Sequence, residues 1–150
     1  MTAYPDTSFL CALYREQDNS KAADAYRHSL KAALPVTSLL LFEFRHAVRF
    51  QTWLHHHHAT KGYGAKEGGK MLGDLQSDLD SGVVALVPAD WAKVHSLAEQ
   101  LSSQQAVKGG HRSFDTLHVA TALALGAKEL LTFDARQRLL AKAAGLRVKP

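Results

Sequence analysis

Val83-Val84-Ala85-Leu86-Val87-Pro88-Ala89-Asp90 decides the fold class. Five successive apolar residues, three of them valine, read as a strand buried on both faces. Pro88 ends it, having no ladder donor to give, and Asp90 carries the acceptor that caps a helix through residue 101. A buried strand running into a capped helix is half of a parallel βα unit, and the same grammar recurs on both sides. Upstream, residues 2–5 read as a short strand, and residues 7–16 as a helix capped by Asp6, Thr7 or Ser8. Asn19 or Ser20 opens a second helix to about residue 33, and residues 35–37 form a second strand. Ser38 starts a long helix carrying Leu39, Phe42, His46, Arg49 and Trp53; it runs into His55-His56-His57-His58 and breaks at Gly62-Tyr63-Gly64. Residues 65–80 form a more polar helix, weakened by Gly68, Gly69 and Gly73, which suggests a mobile arm or a partner surface.

Downstream, residues 102–113 read as a polar loop around Gly109-Gly110, and residues 114–127 as a strongly apolar helix. Residues 129–133 are a strand, residues 135–144 a helix closed by Gly145, and residues 146–148 a last strand. Strands alternating with helical connections imply an α/β fold in one domain, residues 1–150: a three-layer α/β/α sandwich around a mostly parallel sheet of about five strands.

With 150 residues and 46% apolar content the chain can bury a core without staples. Cys11 is its only cysteine, so no intrachain disulfide forms and a reducing, cytoplasmic setting is expected. No basic stretch followed by an apolar run opens the sequence, and no apolar run is long enough to span a membrane. A net charge of +4 suits a polyanion partner. Residues 135–150 hold five basic side chains and no acid, which serves either such a partner or the dipole at a helix C-terminus.

Four acids stand where apolar segments begin or end: Asp6, Glu43, Asp115 and Asp134. In open parallel sheets ligands bind beyond the carboxyl ends of the strands. Asp6 and Asp134 each follow a strand, Asp115 heads a helix, and Glu43 lies in the second turn of a helix entered from a strand. Carboxylates gathered on such an edge repel one another until a hard cation relieves them, and magnesium and manganese both take oxygen ligands. Such a centre suits phosphodiester hydrolysis by activated water and needs no side-chain nucleophile.

The segments Asp6-Thr7-Ser8-Phe9-Leu10, Thr37-Ser38 with Glu43, Phe114-Asp115-Thr116-Leu117-His118-Val119-Ala120-Thr121-Ala122, and Leu130-Leu131-Thr132-Phe133-Asp134 resemble the four acidic motifs of PIN-domain nucleases. They are most similar to those of VapC toxins from toxin-antitoxin pairs, over roughly residues 2–148. The resemblance implies a Mg²⁺- or Mn²⁺-dependent endoribonuclease with Asp6, Glu43, Asp115 and Asp134 as metal-holding and catalytic acids. It further implies Thr7, Ser8 and Thr132 as supporting hydroxyls, an RNA substrate, a homodimer, and a cognate antitoxin that blocks the acidic groove. Some relatives carry a further acid after the last motif; here Ala135-Arg136-Gln137-Arg138 follows, so one tightly held ion is expected, with a second arriving with RNA.

Simpler readings exist for each feature. Asp6, Asp115 and Asp134 can each serve only as helix-start acids, whereas Glu43, amid Leu39, Leu40, Leu41, Phe42 and Phe44, needs a partner. His118, one turn after Asp115, reads as a supporting or packed histidine rather than a ligand for a hard ion. His46 bears the same relation to Glu43 and serves either substrate contact or packing. His55 and His58 share a face at helical spacing, though a solvated helix end is the default for that run. Arg112, Arg45 and Arg49 are candidate RNA contacts. Haloacid-dehalogenase-like phosphatases also place an Asp after the first strand, but need an acid where this chain has Ser8. A catalytically inert RNA- or partner-binding module is the rival from outside the enzymes.

Overall fold

The computed structural model describes residues 3–150. In chain order the elements begin β1 (Ala3–Pro5), α1 (Thr7–Tyr14), α2 (Ser20–Ser29), β2 (Leu34–Val36), α3 (Ser38–His57), α4 (Ala65–Asp80) and β3 (Val84–Leu86). There follow α5 (Trp91–Leu101), a π-helical turn (Ser102–Ala106), α6 (Val107–Gly109), α7 (Ser113–Ala124), β4 (Glu129–Leu131), α8 (Ala135–Ala143) and β5 (Arg147–Lys149).

Each of the first four strands feeds a capped helix. Asp6, Thr37, Asp90 and Asp134 stand just beyond β1, β2, β3 and β4, and the side chain of each accepts a backbone N–H from the first turn of α1, α3, α5 and α8. Such a cap contributes about 1 kcal/mol and fixes where the helix starts. Since all pairings are parallel, these caps gather on one edge of the sheet.

The ladder runs β1-β4-β5, with Tyr4 opposite Leu130 and Leu130 opposite Val148, and β2 pairs β3 beside it. β1 and β2 are neighbours without a hydrogen-bonded ladder between them. Both carry a proline, Pro5 and Pro35, and each proline removes a donor from that seam. The Tyr4 hydroxyl bonds Thr37 Oγ1 across it at 2.8 Å. Helices cover both faces, giving the α/β/α sandwich, with Tyr4, Phe9, Leu10, Phe44, Leu130 and Leu131 fully buried.

Three segments depart from the sequence reading. Residues 102–113 are helical over most of their length, because Gln104, Gln105 and Ala106 favour helix and the chain turns only at Gly110, at φ +62°. α4 is no loose arm: Met71 and Leu75 are buried, and it packs on α3 through Gly68. A Cβ at Gly68 would lie 2.6 Å from Thr52 Oγ1 and 3.3 Å from Val48 Cγ1, so glycine is what lets the two helices approach. α3 ends at His57, and extended His58 leaves the face it was expected to share with His55. Thr2, expected in the first strand, lies outside the described residues. Among the described residues no helix is long and apolar enough to cross a membrane.

Candidate functional site

Asp6 closes β1 and opens α1. Its N–H extends the ladder to the Leu131 carbonyl at 2.9 Å, while Oδ1 accepts the Phe9 N–H at 3.0 Å and the Ser8 hydroxyl at 2.7 Å. The carboxyl is 2% exposed. Burial pushes it above the ordinary carboxylate range, although Ser8, Thr132, the Phe9 N–H and the nearby His118 all favour its charge.

The turn after β4 interlocks with that cap. Thr132 Oγ1 lies 3.3 Å from Ser8 Oγ and accepts the Asp134 N–H at 3.0 Å, and the Phe133 N–H donates to Ser8 Oγ at 2.9 Å. Ser8 therefore ties the start of α1 to the start of α8. Asp134 Oδ1 accepts from the N–H groups of Arg136 and Gln137 at 2.8 and 3.0 Å.

Glu43, half-buried on α3, is held from two sides: Thr7 donates its hydroxyl to Oε2, and His118 Nε2 stands 2.5 Å from the same oxygen. Burial alone would raise this carboxyl, but the bond to His118, its charge and the Thr7 hydroxyl more than offset that, leaving it below its usual value. His118 is buried, with its ring 6.3 Å from that of Tyr4, and its Nδ1 has no hydrogen-bond partner among the described residues. Asp115, in the first turn of α7, is raised by burial first and then by the charges of Asp134 and Glu43, against the Arg112 backbone N–H and His118.

All four sequence-selected carboxylates thus lie on the strand-end edge: Ser8 and Thr132 join Asp6 to the Asp134 turn, Thr7 and His118 hold Glu43, and Asp115 feels Asp134 and Glu43 through charge. They are not gathered into a ready cage. Among the described residues no group of three or more His, Cys, Asp or Glu side chains is arranged to hold a metal ion. Glu43 Oε2 is taken by Thr7 and His118, and Asp6 and Asp134 each give one oxygen to a helix cap. Like charge between Asp115, Asp134 and Glu43 is the feature a cation would relieve.

Arg112 is exposed and caps α7 through its backbone, its carbonyl accepting from Thr116 N–H and Oγ1 at 3.0 Å each. Arg45 donates to Gln76 on α4 at 3.3 Å, and Arg49 is exposed. His46 stacks on Phe42 with centroids 5.8 Å apart, and His55 Nδ1 lies 3.0 Å from the Lys61 carbonyl. Tyr4 was missed by the sequence reading. Its hydroxyl bonds the α3 cap, and burial, aided by the charges of Glu43 and Asp6, raises it far above its usual value. The available signal was the residue type, since a buried tyrosine hydroxyl must find a partner.

A family model described as PIN domain matches residues 3–143. The chain belongs to the PIN-domain family. Solved structures share the fold at low identity. VapC20 of Mycobacterium tuberculosis, described as a sarcin-ricin loop cleaving toxin, is 19% identical with a TM-score of 0.61, covering 99% of this chain and 100% of its own. FitAcB from Neisseria gonorrhoeae is 17% identical with a TM-score of 0.63, covering 99% and 97%. VapBC-1 from nontypeable Haemophilus influenzae is 13% identical with a TM-score of 0.63 over the same shares. A search of curated sequences returns no significant match. The four acidic motifs of this PIN domain therefore lie within the span the family model covers, as do Ser8, Thr132 and His118.

Proposed function

We propose that this PIN domain is a divalent-cation-dependent endoribonuclease acting as the toxin of a toxin-antitoxin pair. The observation that carries the reading is the position of Asp6, Glu43, Asp115 and Asp134 on one strand-end edge, with hydroxyls and one histidine holding Asp6, Glu43 and the Asp134 turn, and Asp115 within reach of the charges of Asp134 and Glu43. Mg²⁺ or Mn²⁺ fits an all-oxygen donor set, and the mutual repulsion at Asp115 is what such an ion would remove. Asp6, Glu43, Asp115 and Asp134 are the residues that would hold it, and when bound it supplies Lewis-acid polarisation of the phosphodiester and neutralises the leaving oxygen.

The chain's own residues do the rest. Ser8 and Thr132 keep Asp6 and the Asp134 turn in register, and Thr7 and His118 aim Glu43 and keep it ionised. Water is the nucleophile in this reading, leaving a 5′-phosphate and a 3′-hydroxyl. An antitoxin that fills the acidic groove would carry cations to meet these carboxylates, and its gene should lie beside this one.

One observation favours the second reading, an inert RNA- or partner-binding module. No three acids or histidines among the described residues converge on a metal position, and as the side chains stand this suits binding better than a preassembled centre. RNA cleavage with and without manganese separates the two. The nuclease reading expects cation-dependent cuts, including at a bond whose sugar lacks the 2′-hydroxyl, and loss of cutting in Asp115→Asn. RNA that is bound but stays whole at every manganese level establishes the module instead.

A further inference from the structure

Residues 135–150 carry Arg136, Arg138, Lys142, Arg147 and Lys149 and no acid. The fold accounts for two of them. Lys142 lies in the last turn of α8, where the helix dipole favours a cation, and Arg147 is engaged by Glu129 at 2.9 Å. Arg136 has neither explanation. It stands exposed in the first turn of α8, the end where the dipole disfavours a cation, and it pairs with no acid among the described residues although Asp134 is two positions away. Lys149 is likewise exposed and without an acid among the described residues. Both belong to the turn that carries Asp134: the Arg136 N–H donates to Asp134 Oδ1 at 2.8 Å, and the Lys149 carbonyl accepts the Thr132 N–H at 2.9 Å. Arg138 fastens the two sides together, its Nη1 donating to the carbonyls of Thr132 at 3.0 Å and Pro150 at 3.2 Å.

We infer that Arg136 and Lys149 form a phosphate grip beside the Asp134 turn, holding the RNA backbone next to the cleaved bond. The inference deepens the nuclease reading above and rests on it. Charge selects the occupant. A second copy laid on this flank would set arginine and lysine against arginine and lysine, and an antitoxin segment bringing cations to the carboxylates would meet more cations here. A polyanion whose reacting phosphate lies at the acids sets its next phosphates on this flank, where the planar fork of Arg136 matches two phosphate oxygens at once. Such contacts fix position and read no sequence.

The test is fluorescence anisotropy of a short labelled single-stranded oligoribonucleotide on the intact protein in chelator, titrated with salt. Arg136→Gln and Lys149→Gln are each expected to lower the slope of log affinity against log salt by about 0.7, and to weaken binding about fivefold at about 0.1 M salt. The two losses should add in the double variant, Arg136→Lys should keep the slope, and Lys142→Gln should change neither quantity. With manganese present, the double variant should raise KM for RNA more than it lowers kcat. An unchanged slope in the double variant, an equal loss in Lys142→Gln, or no binding by the parent protein overturns the inference. So does an oligoglutamate peptide that binds the parent more tightly than the RNA does and is the only ligand weakened in the double variant, which assigns the flank to an acidic protein segment. A double variant that cuts RNA with unchanged KM contradicts the grip alone and leaves the nuclease reading standing.

Discussion

Asp6 is the residue where a structural duty and the proposed chemical one meet. In the folded chain burial holds its carboxyl above the usual range, so the folded state keeps a proton that the unfolded chain gives up at lower pH. Stability is therefore lost as pH rises through the window between the two values. Asp6→Asn removes that loss while its amide oxygen still accepts from Ser8 and the Phe9 N–H. The metal-free variant should melt higher than the parent at neutral pH, with the gap closing on acidification, and RNA cutting should fall by about a hundredfold or more. A lower melting point at neutral pH would show that the charged form is the one the fold needs.

Glu43 has the opposite sign. Its lowered value contributes stability that is present above the unfolded carboxylate range and lost as pH falls through the folded one. His118→Phe keeps the bulk and removes the partner. It should cost about 1–3 kcal/mol in denaturant unfolding, and the Glu43 titration followed by NMR should move up. An unmoved titration would mean that Thr7 alone holds the carboxylate.

At the scale of elements, the sequence was most legible where one residue both ends a strand and caps a helix. Asp6, Asp90 and Asp134 were readable as caps because an acid after an apolar run has few other uses, and the strands they close emerged within a residue or two. Where tertiary contact decides, local signals misled. The glycines of α4 read as weakness, yet Gly68 is the contact on which α3 and α4 close, a fact that depends on Thr52 and Val48 far away in sequence. Gly69 and Gly73 face open space. Gly73→Ala should therefore stabilise the protein by about 0.5–1 kcal/mol, whereas Gly68→Ala should destabilise it by about 1–3 kcal/mol in the same unfolding titration. Equal effects at the two positions would contradict the packing assigned to α4. The carboxylates themselves were legible as types and positions; that Thr7 and His118 would claim Glu43 Oε2 was not, since no spacing joins residues 7, 43 and 118.

Across the whole molecule, parallel pairing sends every βα turn to one edge, so a chain of only short strands still assembles acids from four distant segments. Asp6, Glu43 and Asp134 each commit one carboxylate oxygen to hydrogen bonds, so in the proposed reading a cation would be held through the other oxygen of each, together with Asp115. Calorimetric titration of the metal-free protein with manganese tests this most directly. The account predicts one tight saturable site that disappears in Asp6→Asn and in Asp115→Asn, while both variants stay folded. Absence of manganese binding by the parent protein, or binding that survives both substitutions, would contradict it.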